Sequence, residues 1–235
     1  MKIFILFLSF LAMHHIDAQT QHTVIVKGAM KDAMWKGEIE GKIAIDTITD
    51  QENLFGIGPI EFISGEIMVV NGKIYSSRVV SKNEMKVLEG EELKAPFFVY
   101  ANVPEWEEIE IPGELRTMSE LENFLVELKT DQPFAFRIEG FMDTAIIHVV
   151  NLPAGKKISS PEEAHEGKTT FEVIAKPFNI VGFFSTKHQG IFTHHNSFLH
   201  MHLITLDREM MGHVDDMVFS GGKIRVYIPR DLIQE

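Results

Sequence analysis

The sequence has no cysteine, no excess of basic residues and no apolar run long enough to cross a bilayer. Without cysteine there can be no disulfide and no lipid-modified cysteine anchor, so the core must hold the chain together unaided. Any bound metal must be held through nitrogen and oxygen rather than sulfur. Lysine and arginine number 22 against 34 aspartates and glutamates, a formal net charge of -12, and no basic block occurs. That balance excludes the clustered cations that nucleic-acid phosphates require, and it offers no general attraction to anionic lipid. An anionic small molecule would have to be met by a local positive centre, one arginine or a bound cation. There is no repeat of fixed period and no low-complexity stretch. What is there is ordinary for a globular protein: 235 residues, 45% hydrophobic and 24% charged, enough for one large domain or two small ones.

The first residues are set apart from the rest. "MKIFILFLSFLAMHHIDAQ" places Lys2 before an apolar run from Ile3 to Met13, with the small Ala18 just before Gln19. That order predicts a secretory signal over residues 1–18, cut after Ala18. As a helix the run would cover only about 17 Å of a hydrocarbon core of roughly 30 Å. The expectation is an exported protein, periplasmic or secreted, that does not stay in the membrane after cleavage.

Most of the remaining chain reads as strand. "EIMVVNGKIYSSRVV" holds two β-rich runs around Asn71-Gly72, a type I′ hairpin signal. "MKDAMWKGEIEGKIAID" is open between a short helix and a strand, and "SSPEEAHEGK" between a loop and a helix start. The one clear helix is "TMSELENFLVELKT", where Leu121, Phe124, Leu125 and Leu128 share a face and Ser119 with Glu122 suggests a capping box. "QPFAFRIEGFMDTAIIHVV" returns to strand. The fold class expected is α+β and β-rich: two lobes on mixed or antiparallel sheets with one main helix, an N-terminal lobe over 19–130 and a C-terminal lobe over 131–235.

The chemistry-bearing stretch is "FLHMHLITLDREMMGHVDD", which holds His200, His202 and His213. On a strand, His200 and His202 point to one face while Met201 and Leu203 point to the other. "DREMMG" can turn, and "HVDDMVF" can return as the next strand with His213 alongside. Three imidazoles from one hairpin would make a metal face with open positions, as catalytic zinc uses; the alternative is ordinary core or solvent-facing histidines. Zn²⁺ is the expected ion, although imidazole also suits copper, nickel and iron. Asp215 or Asp216 could orient a ligating ring through its second nitrogen. His188, His194 and His195 read as loop residues and are not counted as ligands.

Three blocks, in order, resemble the alpha-acetolactate decarboxylase family. "GIGPIEFISGEIMVVNGKIYSS" is similar to its G-I-G-T-F…L-D-G-E…D-G-x-x-Y block, "PFAFRIEGFM" to its F-x-A-x-R-I-D-G-x-F, and "VGFFSTKHQGIFTHHNSFLHMHLITLDREMMGHVDD" to its V-G-F…G-Y-H-x-H-F…D-R…G-G-H-V-L-D. The resemblance implies that His200, His202 and His213 bind zinc and that Glu66 and Arg137 are active-site residues. It also implies a two-lobed build and a homodimer. The activity implied is that of a carboxy-lyase converting 2-acetolactate, or a similar branched 2-hydroxy-3-keto acid, to acetoin and CO₂. Zinc would chelate the hydroxyl and ketone oxygens while an enediolate forms, Arg137 would hold an anionic group, and Glu66 would deliver a proton.

The match is not uniform. Pro59 stands where the family has Thr, Met211 replaces a glycine before His213, and the chain stops at Glu235 soon after His213, where the family carries a tail with a second active-site glutamate. Two other readings follow: a non-catalytic homologue that keeps the metal, or a cupin-type metalloenzyme in which Glu209 would serve beside His202.

Overall fold

The computed structural model describes residues 22–111 and 115–233. The expected signal segment and Glu235 lie outside these residues. Among the described residues no helix is long and apolar enough to cross a membrane.

Two six-stranded sheets are built in which all pairings between strands are antiparallel. The first contains β1 (Ile25–Lys27), β3 (Leu54–Pro59), β4 (Glu66–Val70), β5 (Lys73–Ser81), β6 (Glu84–Glu89) and β8 (Phe98–Asn102) in the order β1-β8-β3-β4-β5-β6. Asn71 and Gly72 join β4 to β5 at φ 50° and 76°, the left-handed pair that a type I′ turn requires. A small separate pair, β2 (Ile43–Ala44) with β7 (Lys94–Ala95), lies beside it.

The second sheet contains β9 (Trp106–Ile109), β10 (Phe134–Val149), β11 (Thr169–Ile174), β12 (Pro177–Phe184), β13 (Leu199–Thr205) and β14 (Met211–Pro229), ordered β11-β10-β12-β13-β14-β9. The long strands β10 and β14 also pair with each other, so β10, β12, β13 and β14 close into a ring without a free edge between them. Alternation along the strands then sorts side chains. Phe134, Phe136, Ile138, Leu199, Met201 and Leu203 fill one core with Leu121 and Leu125 of the helix. The opposite face, with Ala135, Val181, Phe183, Ile204 and Met211, packs on Phe55, Ile57, Met68 and Val99 of the first sheet. His200 and His202 alternate with the first set and so face the first sheet. Gly212 lets the ring close: a Cβ there would stand 2.5 Å from the His148 carbonyl oxygen.

The sheets change over between Asn102 and Trp106. The strand β9 and the main helix, α2 (Met118–Val126) in order after α1 (Met30–Lys36), therefore belong with the second sheet rather than with a first lobe ending at 130. A third short helix, α3, is Pro161–Ala164. Both ambiguous segments of the sequence thus start as helix. The cap of α2 falls two residues earlier than the sequence suggests. Thr117 accepts from the Glu120 amide, and the Glu120 carboxylate accepts from the Thr117 amide, completing the capping box. Glu122 is thereby left for a long-range role: it accepts from the Phe198 amide at 2.6 Å and from Ser197 Oγ, pinning the entry into β13.

Candidate metal centre

The entry to β13 matters because that strand carries His200 and His202. His202 lies directly opposite His213 across β13 and β14, and directly paired residues of antiparallel strands project from the same face. The ring centroids of His200 and His202 are 5.2 Å apart, those of His200 and His213 5.1 Å, and those of His202 and His213 5.5 Å. One ligating atom from each lies within 4.8 Å of the others. All three residues are buried, and Nδ1 of His200 and of His202 has no hydrogen-bond partner of good geometry.

Burial disfavours the imidazolium form. It holds His202 down at about 3 and His200 and His213 well below the ordinary histidine range, with neighbouring imidazoles adding to the effect. Three neutral imidazoles with buried nitrogens left over are a donor set that could hold a metal ion. Isolated, those nitrogens would carry a desolvation cost with nothing in return. Glu209, the acid a cupin reading would need, is instead exposed and paired with Lys176.

Glu66, at the first position of β4, comes to the same point. Its Oε2 is 3.7 Å from His202 Nε2, and its Oε1 accepts from the Val150 amide at 3.1 Å. Burial raises this carboxyl well above the ordinary glutamate range, only partly offset by the Val150 hydrogen bond. The turn that presents it is strained: Phe62 and the β-branched, fully buried Ile63 adopt φ 61° and 54°. Such conformations cost on the order of 1–3 kcal/mol and persist where the surroundings enforce them. Here Phe62 donates to the Ile39 carbonyl and the Ile63 carbonyl accepts from Leu152.

Two further histidines join the cluster. His148, near the end of β10, is paired with His213 across β14, with ring centroids 4.7 Å apart. Its Nδ1 bonds Asp215 Oδ1 at 2.7 Å, and Lys168 stands 3.4 Å from the other carboxylate oxygen. Burial lowers the His148 pKa despite this partner. Asp215 thus orients His148 rather than one of the three expected ligands, while Asp216 accepts from the Met217 amide. His148, His213 and Asp215 form a second set of donors within reach of one another. His194, read from sequence as a loop residue, brings Nε2 to 2.9 Å from His213 Nε2, and burial holds it down at about 4. His188 does stay apart, stacked on Phe192 and bonded to Ser185. A signal for His148 exists in "AIIHVV": on a strand, Ile147 and Val149 point to one core, which turns His148 outward.

Arg137 is not brought to this point. Its guanidinium lies 5.5 Å from the Phe55 ring centroid, 5.4 Å from that of Trp106 and 5.4 Å from that of Tyr227, and it pairs with Glu139. Three aromatic faces and a carboxylate surround it there.

A cavity of about 380 Å³ opens onto the cluster, lined at one end by Glu66, His148, His194, His200 and His213. Larger surface grooves, of about 580 and 670 Å³, contain no histidine.

Among solved structures, the chain is similar to an alpha-acetolactate decarboxylase from Bacillus subtilis strain 168, with 21% identity, 88% of this chain and 85% of that one covered, and a TM-score of 0.69. An acetolactate decarboxylase from Bacillus subtilis subspecies spizizenii gives 22% identity, coverage of 88% and 86%, and a TM-score of 0.70. A Staphylococcus aureus protein of unknown function, described as similar to alpha-acetolactate decarboxylase, gives 17%, 88% and 84%, and 0.71. At these identities the likeness speaks for the fold. Among curated proteins there is no significant match. The sequence profile of alpha-acetolactate decarboxylase matches residues 25–235, which takes in both sheets, the histidine triad and Glu66, and the chain belongs to that family.

Proposed function

We propose that the chain decarboxylates 2-acetolactate or a similar branched 2-hydroxy-3-keto acid, giving CO₂ and an acetoin-type ketol, with zinc held by His200, His202 and His213. The observation that carries this reading is a buried carboxyl, Glu66, set beside three buried imidazoles, two of which, His200 and His213, line the same cavity as Glu66. Bound there, the ion supplies Lewis-acid stabilisation of charge on the reactant's oxygens.

The chain's own residues supply the rest. When the carboxylate leaves as CO₂, its bonding pair stays on a carbon that must then take a proton. Glu66 is the donor. Burial favours its protonated form, and the Val150 amide fixes Oε1, which leaves Oε2 on the histidine side. A proton delivered from one side gives a single-handed product. His148, neutral and held through Nδ1 by Asp215, presents Nε2 as an acceptor for the reactant's hydroxyl. Protein loaded with zinc and given acetolactate should release CO₂ and acetoin, and Glu66→Gln should retain the metal and lose turnover.

One observation favours a second reading, a metal-binding homologue without this activity: Arg137 stays in its aromatic cage. Stoichiometric zinc with no CO₂ from any branched hydroxy-keto acid would decide for it. Export and dimerisation are further parts of the proposal. The mature chain should begin at Gln19 by N-terminal sequencing, and light scattering should give twice the chain mass.

A further inference from the structure

The cavity has two unlike ends. Glu66 and all the cavity's histidines but His165 come from β4, β10, β13, β14 and the loop before β13, whereas Met30, Met34 and Trp35 of α1, Phe97, and Pro161 at the start of α3 line the other end, with Lys31, Glu162 and His165 beside them on the same two helices. Met30 and Met34 are one turn apart and share a face of α1. Trp35 is 60% exposed, the most exposed large hydrophobic side chain among the described residues. The start of α1 is tied to the histidine loop, since Met30 and Lys31 donate to the Ile191 and Gly190 carbonyls at 2.8 and 2.9 Å. The apolar wall and the polar end are therefore joined through backbone hydrogen bonds.

Acetolactate has only two methyl groups beyond its reacting atoms. At interior packing density such a molecule fills on the order of 130 Å³, about a third of the 380 Å³ present. Nothing in acetolactate needs a second, apolar compartment of methionine, tryptophan and phenylalanine.

We infer that the apolar end is a subsite for a longer hydrocarbon substituent, so that the reactant is a 2-hydroxy-3-keto acid carrying an alkyl chain of several carbons in place of a methyl group. The inference rests on the decarboxylase reading for the polar end. The hydroxyl, ketone and carboxylate are held among Glu66 and the histidines, and the chain runs along Met30, Met34 and Phe97 toward Trp35. Methionines suit such a wall because their unbranched thioethers adapt to a flexible chain.

The test is a homologous series in which one methyl of acetolactate is replaced by ethyl, butyl or hexyl, assayed with zinc-loaded protein for CO₂ release. kcat/KM is expected to rise roughly three- to fourfold per added methylene, as burial of a CH₂ implies, and the rise per methylene should shrink in Trp35→Ala. Separately, a non-reacting long-chain 2-hydroxy acid should shift tryptophan emission saturably in the wild type and not in Trp35→Phe. Turnover that is best with acetolactate and falls along the series overturns the subsite and leaves the decarboxylase standing. If no member of the series releases CO₂, the decarboxylase reading fails, and the emission titration then decides the subsite by itself. Saturation by the long-chain acid supports it, and no shift overturns it.

Discussion

At the start of β10, Arg137 lies among Phe55, Trp106 and Tyr227 and pairs with Glu139; eleven residues along the same strand, His148 leans on His213 and is held by Asp215. Rings and a carboxylate surround the Arg137 guanidinium. Burial shifts His148 toward its neutral form, and the ring lines the cavity with one nitrogen bonded to Asp215. A motif match cannot tell these two conditions apart. Arg137 is engaged by three rings and a carboxylate, while His148 at the far end of the strand lines the cavity.

The largest effects should come from the His148 end. His202→Ala removes one of three imidazoles and should weaken zinc binding by at least about 100-fold, read by competition with a chromogenic chelator, and should abolish turnover. Retention of tight zinc would break the triad assignment. Next, Glu66→Gln should bind zinc as the wild type does while kcat falls by about 10²–10⁴, the range of general acid–base catalysis. His148→Ala and Asp215→Asn should each lower kcat/KM by about 10–100-fold, and the double variant little more than either alone, because Asp215 acts through the ring it orients.

Acid should act on the same end. The unfolded chain protonates its histidines near pH 6.5, whereas burial keeps His194, His200, His202 and His213 neutral in the folded state down to far lower pH. Below about pH 6.5 the unfolded state therefore binds more protons. Each such ring should remove up to about 1.4 kcal/mol of stability per pH unit as pH falls. Glu66, whose pKa is raised, works the other way and favours the folded state at low pH, but it is one group against these four and His148, which burial also lowers. Urea melts of zinc-free protein at pH 7.5, 6 and 5 should show a falling midpoint, and zinc should steepen the fall because protons compete for the same nitrogens.

The smallest effect belongs to the other end of the strand. Arg137→Met should cost about 1–2 kcal/mol of stability through the lost ring contacts and ion pair, with kcat/KM for acetolactate within about twofold of wild type. A large fall in kcat at unchanged melting temperature would restore Arg137 to the site and erase the contrast between the two ends.

Local sequence determined a good deal here. Alternation in "FLHMHL" put His200 and His202 on the face opposite Met201 and Leu203, and Asn71-Gly72 set a hairpin, because period-two patterning and left-handed turn residues act over a few positions. The return of "HVDDMVF" beside β13 was legible for the same reason: the turn between them is short. The tertiary structure alone decided which strands meet over long separations. The closing of β10 on β14 brought His148 and Asp215 to the triad, the strained turn at Phe62 and Ile63 aimed Glu66 at it, and the packing of the two sheets enclosed Arg137. Those contacts join residues tens of positions apart, where a side chain's neighbours, and hence its charge and its use, are set by strand pairing and burial rather than by the residues beside it in the chain.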